Sequence, residues 1–254
     1  MSKPLTTARA FTLVELLVAI SIVAILVTLG GVVYQNVSQQ GRQAASASNL
    51  RQLALAGILY ANEHDGRFFP YRDRGREGTT WWFGFESRAS SGSAEGKRNL
   101  DKEGSPLYPY LAQVGGVEIC PGFLYDKSIW KPKFDGASYG YGYNVLLGGG
   151  WMGVAQLGSL MRIDRPSQVA LFATCAQVNT FQAPASPSNP LIEEFYAFDE
   201  REKTVHFRFG NHALVAFCDG RIERMPMEPG TRDENMPEAD IGRIAPVGSD
   251  KYLR

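Results

Sequence analysis

The chain has 254 residues, enough for one medium domain plus an accessory segment and a sizeable core. It is 44% hydrophobic, and its 26 Lys plus Arg balance 26 Asp plus Glu, so charge gives no case for a nucleic-acid partner. Three cysteines, Cys120, Cys175 and Cys218, lack metal-ligand spacing, and an odd count leaves at least one thiol unpaired within the chain.

The first element is a long apolar helix. Lys3 and Arg9, with no acid beside them, precede FTLVELLVAISIVAILVTLGGVVYQ, and no charged residue falls in 16–41. About 20 such residues at 1.5 Å each cover a bilayer core of roughly 30 Å. The basic start predicts a cytoplasmic N-terminus, with the bulk of the chain across the membrane. A cleaved secretory signal would have an apolar region of about 7–15 residues ending in a small-x-small site. Here the run is longer and continues into Thr28-Leu29-Gly30-Gly31-Val32-Val33, so a single-pass anchor fits better. Glu15 sits at the cytoplasmic end of this run. A carboxylate in hydrocarbon costs several kcal/mol unless neutralised or paired, which makes Glu15 a functional candidate. The plain alternative is a wet residue at the interface.

The string Ala10-Phe11-Thr12-Leu13-Val14-Glu15-Leu16 resembles the processing site of type IV pilins and type II secretion pseudopilins. The resemblance implies cleavage by a prepilin peptidase between Ala10 and Phe11, N-methylation of Phe11, and a basic leader of residues 1–10. The family normally has Gly where this chain has Ala10. It also implies that Glu15 pairs with the freed amine of a neighbouring subunit's Phe11 and so sets register during assembly. The implied partners are that peptidase, other pilin or pseudopilin subunits, and an inner-membrane assembly platform.

The helix is expected to run on to residue 64, forming an assembly element over 11–64. In 41–65, Leu50, Leu53, Gly57 and Tyr60 fall on one stripe with Ala54, Ile58 and Ala61 beside it, while Arg42, Asn49, Arg51, Gln52 and Glu63 take other faces. Gly30-Gly31 interrupts the helix at a cost of about 1 kcal/mol per Gly. It reads equally as a site of close packing or as a segment that loosens on assembly. Gly66 is the natural stop.

Residues 65–254 read as a periplasmic α+β head, with the helix laid on a mainly antiparallel sheet. Residues 86–105 and 182–190 are polar and rich in small residues, and are expected to be mobile loops. Val169-Ala170-Leu171-Phe172-Ala173 reads as a buried strand that Pro166 should start. Ala213-Leu214-Val215-Ala216-Phe217-Cys218 and Arg221-Ile222-Glu223-Arg224-Met225 read as a hairpin. Its Asp219-Gly220 turn is expected to be type I′, with positive φ at both residues. This end resembles a pilin-like C-terminal segment of His, nine residues, then Asp-Gly. Ten residues before Asp219, however, stands Phe209, and His206 and His212 are out of register.

Other candidate sites are weak. His206, His212 and Asp219 match no zinc or EF-hand spacing, and the acidic stretch Asp233-Glu234-Asn235 to Glu238 and Asp240 is a poor calcium loop. Trp81-Trp82-Phe83-Gly84-Phe85 reads as core, with alternate residues buried. Gly148-Gly149-Gly150 lacks the setting of a phosphate loop, and no nucleophile arrangement stands out. Cys175 and Cys218 each follow a strand, so they could lie close in the sheet; they read as buried free thiols, with a disulfide between them left open. No cofactor is implied and the chain reads as a structural subunit rather than an enzyme. The expected function is a pseudopilin in a type II secretion-like periplasmic fibre. Alternatives are a minor type IV pilus subunit for adhesion or DNA uptake, and a membrane-tethered ligand- or glycan-binding domain using Trp81 and Trp82.

Overall fold

The computed structural model describes residues 12–112, 114–123, 125, 128–136, 139–149 and 159–253; for 29–33 and 35 it describes the backbone alone. The chain forms two compact units, Met1–Gly41 and Arg42–Arg254, and helix α1 (Leu13–Glu63) contributes to both. The fold is α+β, as expected.

In the second unit, α1 buries the predicted stripe. Leu50, Leu53, Ala54 and Ala61 are fully covered, with Ser46 and Ala56 beside them, whereas Leu55 and Leu59 on the far side stay about half exposed. Gly57 lets the helix approach β5 (Ala170–Thr174), since a β-carbon there would stand 3.3 Å from Leu171 Cδ2 and 3.4 Å from Phe172 Cε2. The helix stops where the glycine predicts. Asp65 and Gly66 both take positive φ, and Gly66 N–H returns to the carbonyl of Ala61 at 2.7 Å.

A small hairpin sheet follows, of β1 (Arg72–Arg74), β2 (Gly78–Trp81) and β3 (Gly84–Ser87). Trp82 and Phe83 form its turn, so both are buried instead of alternating as a continuous strand would require. The main sheet is built from β4 (Tyr141–Asn144), β5, β8 (Ala197–Phe198), β10 (His212–Phe217) and β11 (Ile222–Pro226), in the order β11-β10-β5-β4-β8. All its pairings are antiparallel except β4 with β8. Two minor pairs complete the head: β6 (Gln177–Asn179) with β7 (Leu191–Glu193), and β9 (Val205–His206) with β12 (Ile241–Gly242).

Both faces of the main sheet are covered, which explains why β10 is an almost unbroken apolar run. Leu214, Ala216 and Cys218 join the cluster that holds the α1 stripe. Ala213, Val215 and Phe217 join a second cluster with Leu146, Phe198, Phe207 and Leu253.

Three local expectations need correction. The β10–β11 turn is a three-residue loop, not type I′. Phe217 and Arg221 face each other, Gly220 N–H reaches Phe217 O at 2.9 Å, and of Asp219 and Gly220 only the glycine has positive φ, at 84°. Asp219 Oδ1 instead accepts from Arg221 N–H at 3.0 Å, a bond available with Asp219 at negative φ. Pro166 opens a 3-10 turn (Pro166–Gln168) ahead of β5 and does not start the strand. Residues 86–105 are not a plain loop either: they include the end of β3, helix α2 (Arg88–Ser91) and a 3-10 turn, pinned by Arg98 on Glu86 at 2.7 and 2.8 Å.

Candidate functional site

Ala10 and Phe11 lie outside the described residues. The chemistry next to them begins at Thr12, immediately before α1. Thr12 N–H and Thr12 Oγ1–H both donate to Glu15 Oε2 at 2.9 Å, and Glu15 N–H donates back to Thr12 Oγ1 at 3.2 Å. This reciprocal pair is a capping box, in which a Thr and an acid three residues on satisfy amides that a helix start leaves open. The T-x-x-E spacing of Thr12 and Glu15 is the sequence signal of such a cap, a role separate from the assembly role expected of Glu15.

Beyond the cap, α1 in the first unit is a sleeve of exposed apolar side chains. Leu13 is 80% exposed, Leu16 58%, Val23 58% and Val27 67%. Its two other polar side chains in 13–28 are turned inward: Ser21 Oγ donates to Leu17 O at 2.7 Å and Thr28 Oγ1 to Ile25 O at 2.8 Å. Hydroxyls that bond their own helix need no water, which suits apolar surroundings. Among the described residues, no helix is long and apolar enough to cross a membrane.

In the head, the tryptophans are not free. Trp82 is fully buried, with Nε1–H donating to Tyr196 O at 2.7 Å; Trp81 is half-buried, stacked on Phe83 and edge-on to Tyr71. Phe209, where the resemblance has His, is 2% exposed and packs against Gly122. The three thiols are buried and free. The antiparallel register puts Cys218 beside Val169 and Cys175 at the other end of the ladder, where Ala173 faces Val215. Gly148 ends a short helix, Val145–Gly148, and Gly150 lies outside the described residues.

One concave pocket of about 200 Å³ includes Phe123, Trp130, Ile192, His206, Arg208 and Asp240 in its wall. Burial, and the Arg208 guanidinium beside it, push the His206 imidazole well below the ordinary histidine range. A neutral imidazole next to a fixed cation is a poor start for a metal site, and among the described residues no group of three His, Cys, Asp or Glu could hold a metal ion. The acidic stretch is internally engaged: Arg232 pairs with Asp240, and Asp233 Oδ1 accepts from Asn235 N–H at 2.8 Å.

Residues 6–30 match the family described as Prokaryotic N-terminal methylation motif. That match is consistent with a type IV pilin-like chain and implies processing by a prepilin peptidase and assembly with other pilin subunits. The C-terminal His-and-Asp-Gly resemblance finds no such support. No curated protein and no solved structure matches the chain.

Proposed function

We propose that this chain is a pseudopilin: a subunit cut between Ala10 and Phe11, methylated at Phe11, and added through α1 to a type II secretion-like periplasmic fibre. The observation that carries the reading is the coincidence of the methylation motif over 6–30 with a helix segment, 13–28, whose apolar side chains are exposed while Ser21 and Thr28 bond to its own carbonyls. Such a surface is stable only against lipid or other apolar helices.

In this reading residues 11–34 hold a single pass in the inner membrane, the N-terminus faces the cytoplasm, and 65–254 form the periplasmic head. Glu15 sets register by pairing with the Phe11 amine of the next subunit. The capping box leaves room for this, since both bonds from Thr12 fall on Oε2. A charge held this way in low dielectric costs far less than an isolated one. The chain's role is structural, and the cleavage and methylation chemistry belongs to the peptidase.

Mass spectrometry of the mature N-terminus from native membranes tests the reading. A chain starting at methylated Phe11 is expected; one that keeps residues 1–10 would overturn it. A minor type IV pilus subunit is the nearest alternative, and immunogold labelling of surface filaments, as against a periplasmic fibre, separates the two. The glycan-binding alternative loses ground because buried Trp82 presents no ring face to a sugar.

A further inference from the structure

Away from the N-terminal segment, a lysine, a glutamate and an asparagine converge on one face of the β6–β7 pair and a segment bridged to it. β7 lies in the middle. It pairs with β6 on one edge, and on the other residues 129–131 join it through Lys131 N–H to Ile192 O at 2.8 Å and Ile192 N–H to Ile129 O at 2.7 Å. Alternation along the strands places Lys131, Glu193 and Asn179 on the same side, with the glutamate in the centre. All three are buried, at 2%, 0% and 0% exposure.

The contacts are chemically specific. Glu193 Oε2 accepts from Lys131 Nζ at 2.5 Å and from Asn179 Nδ2 at 3.0 Å, so one carboxylate oxygen touches both an amine and an amide. Asn179 Oδ1 accepts two backbone N–H bonds, from Phe181 and Gln182, each at 3.0 Å. Donors aimed at a carbonyl oxygen polarise its carbon and stabilise the oxyanion that nucleophilic attack creates. Lys133 Nζ at 3.2 Å and the Gln177 amide hold Glu193 Oε1, which fixes the carboxylate, while Glu95 Oε2 at 3.0 Å steadies Lys131 Nζ from its other side.

We propose that Lys131, Asn179 and Glu193 form a self-modification site that joins Lys131 Nζ to Asn179 Cγ in an isopeptide bond. A proton passes from Nζ to Glu193 Oε2 across their 2.5 Å contact, a step that burial favours but that works against the Lys133 and Lys131 charges holding that carboxyl below its ordinary range. The neutral amine attacks Cγ, and the negative charge collects on Oδ1 under the Phe181 and Gln182 amides. Collapse breaks the Cγ–Nδ2 bond, with Glu193 returning its proton to the leaving nitrogen, which also takes a second proton from Nζ. The balance is one ammonium and one amide in, one secondary amide and one ammonium ion out, with no oxidant or co-reactant. Lys131 Nζ and Asn179 Nδ2 share Glu193 Oε2 at 2.5 and 3.0 Å, which brings the amine and the amide to neighbouring positions around one oxygen. This is a single event per chain, without turnover, and it does not rest on the assembly reading above.

Tryptic digestion of the purified full chain, followed by mass spectrometry, tests it. The expected product is a branched species that joins the Lys131 peptide to the Asn179 peptide and is lighter than the two together by one ammonia. Lys131→Arg, which keeps the cation but cannot make this bond, should give the two peptides separately. Separate peptides from the wild-type chain would overturn the proposal. So would loss of ammonia from an unlinked Asn179 peptide, because that marks a cyclic imide instead. Linkage persisting in Glu193→Gln would remove the glutamate from its proton-carrying role.

Discussion

Glu15 Oε2 sits 2.9 Å from both the backbone nitrogen and the hydroxyl of Thr12, so the acid assigned to assembly also closes the first turn of α1. Helix capping and charge pairing are separable roles, because glutamine serves a capping box as well as glutamate does. Glu15→Gln should therefore keep the helix start and lose the charge, while Glu15→Ala loses both. Both variants are expected to be cleaved and neither to enter a fibre, as read by N-terminal mass and by cross-linking of neighbouring subunits. Wild-type cross-linking in Glu15→Gln would mean the carboxylate's charge plays no part in assembly.

A second prediction concerns the core beneath α1. A β-carbon on Gly148 would stand 1.8 Å from the carbonyl oxygen of Phe69 and 2.7 Å from Tyr143 Oη, itself bonded to that carbonyl. Backbone cannot yield as a flexible side chain does, so Gly148→Ala should cost about 3 kcal/mol or more. Chemical denaturation checks this, and a change under about 1 kcal/mol would show that the Phe69 segment is free to move.

The sign of the pH dependence follows from His206. Its folded-state pKa is depressed, so it stays neutral in the head, whereas the unfolded chain takes up a proton near pH 6.5. Below that pH the unfolded state binds more protons and stability falls. Glu238 and Asp240 line the same pocket but do not reverse the direction. Between pH 7.5 and 5.5, the wild type should lose about 1 kcal/mol more than His206→Asn. Parallel losses in the two proteins would contradict it.

The thiols give a kinetic test. Burial pushes the Cys175 and Cys218 thiols up, away from the thiolate that reacts. Native protein at pH 8 should resist iodoacetamide at both positions and label promptly only in denaturant. Fast native labelling would mean that these strands open readily.

Much of the fold was legible because it rests on local periodicity. Leu50, Leu53, Ala54 and Ala61 recur at helical spacing, and their burial follows. The β10–β11 hairpin was legible too, because Asp219-Gly220 can only be a turn between two such runs. Its turn type was not, since Asp219 chose a side-chain bond to Arg221 over positive φ. Nor was burial of both Trp82 and Phe83, which depends on a tight turn that strand alternation does not anticipate. At the candidate site, T-x-x-E is a local signal and therefore legible in the sequence. The Lys131–Glu193–Asn179 cluster was not readable, because its members are 48 to 62 positions from Lys131 and meet only through strand pairing.

The strand order has a consequence for biogenesis. β5 lies between β4 and β10, and Val215 of β10 is the partner of Ala173. Until some forty further residues have been made, one edge of the central strand has unpaired amides and carbonyls. A nascent head is thus open to mispairing or proteolysis in that interval, and a chaperone that shields a strand edge would be most needed then.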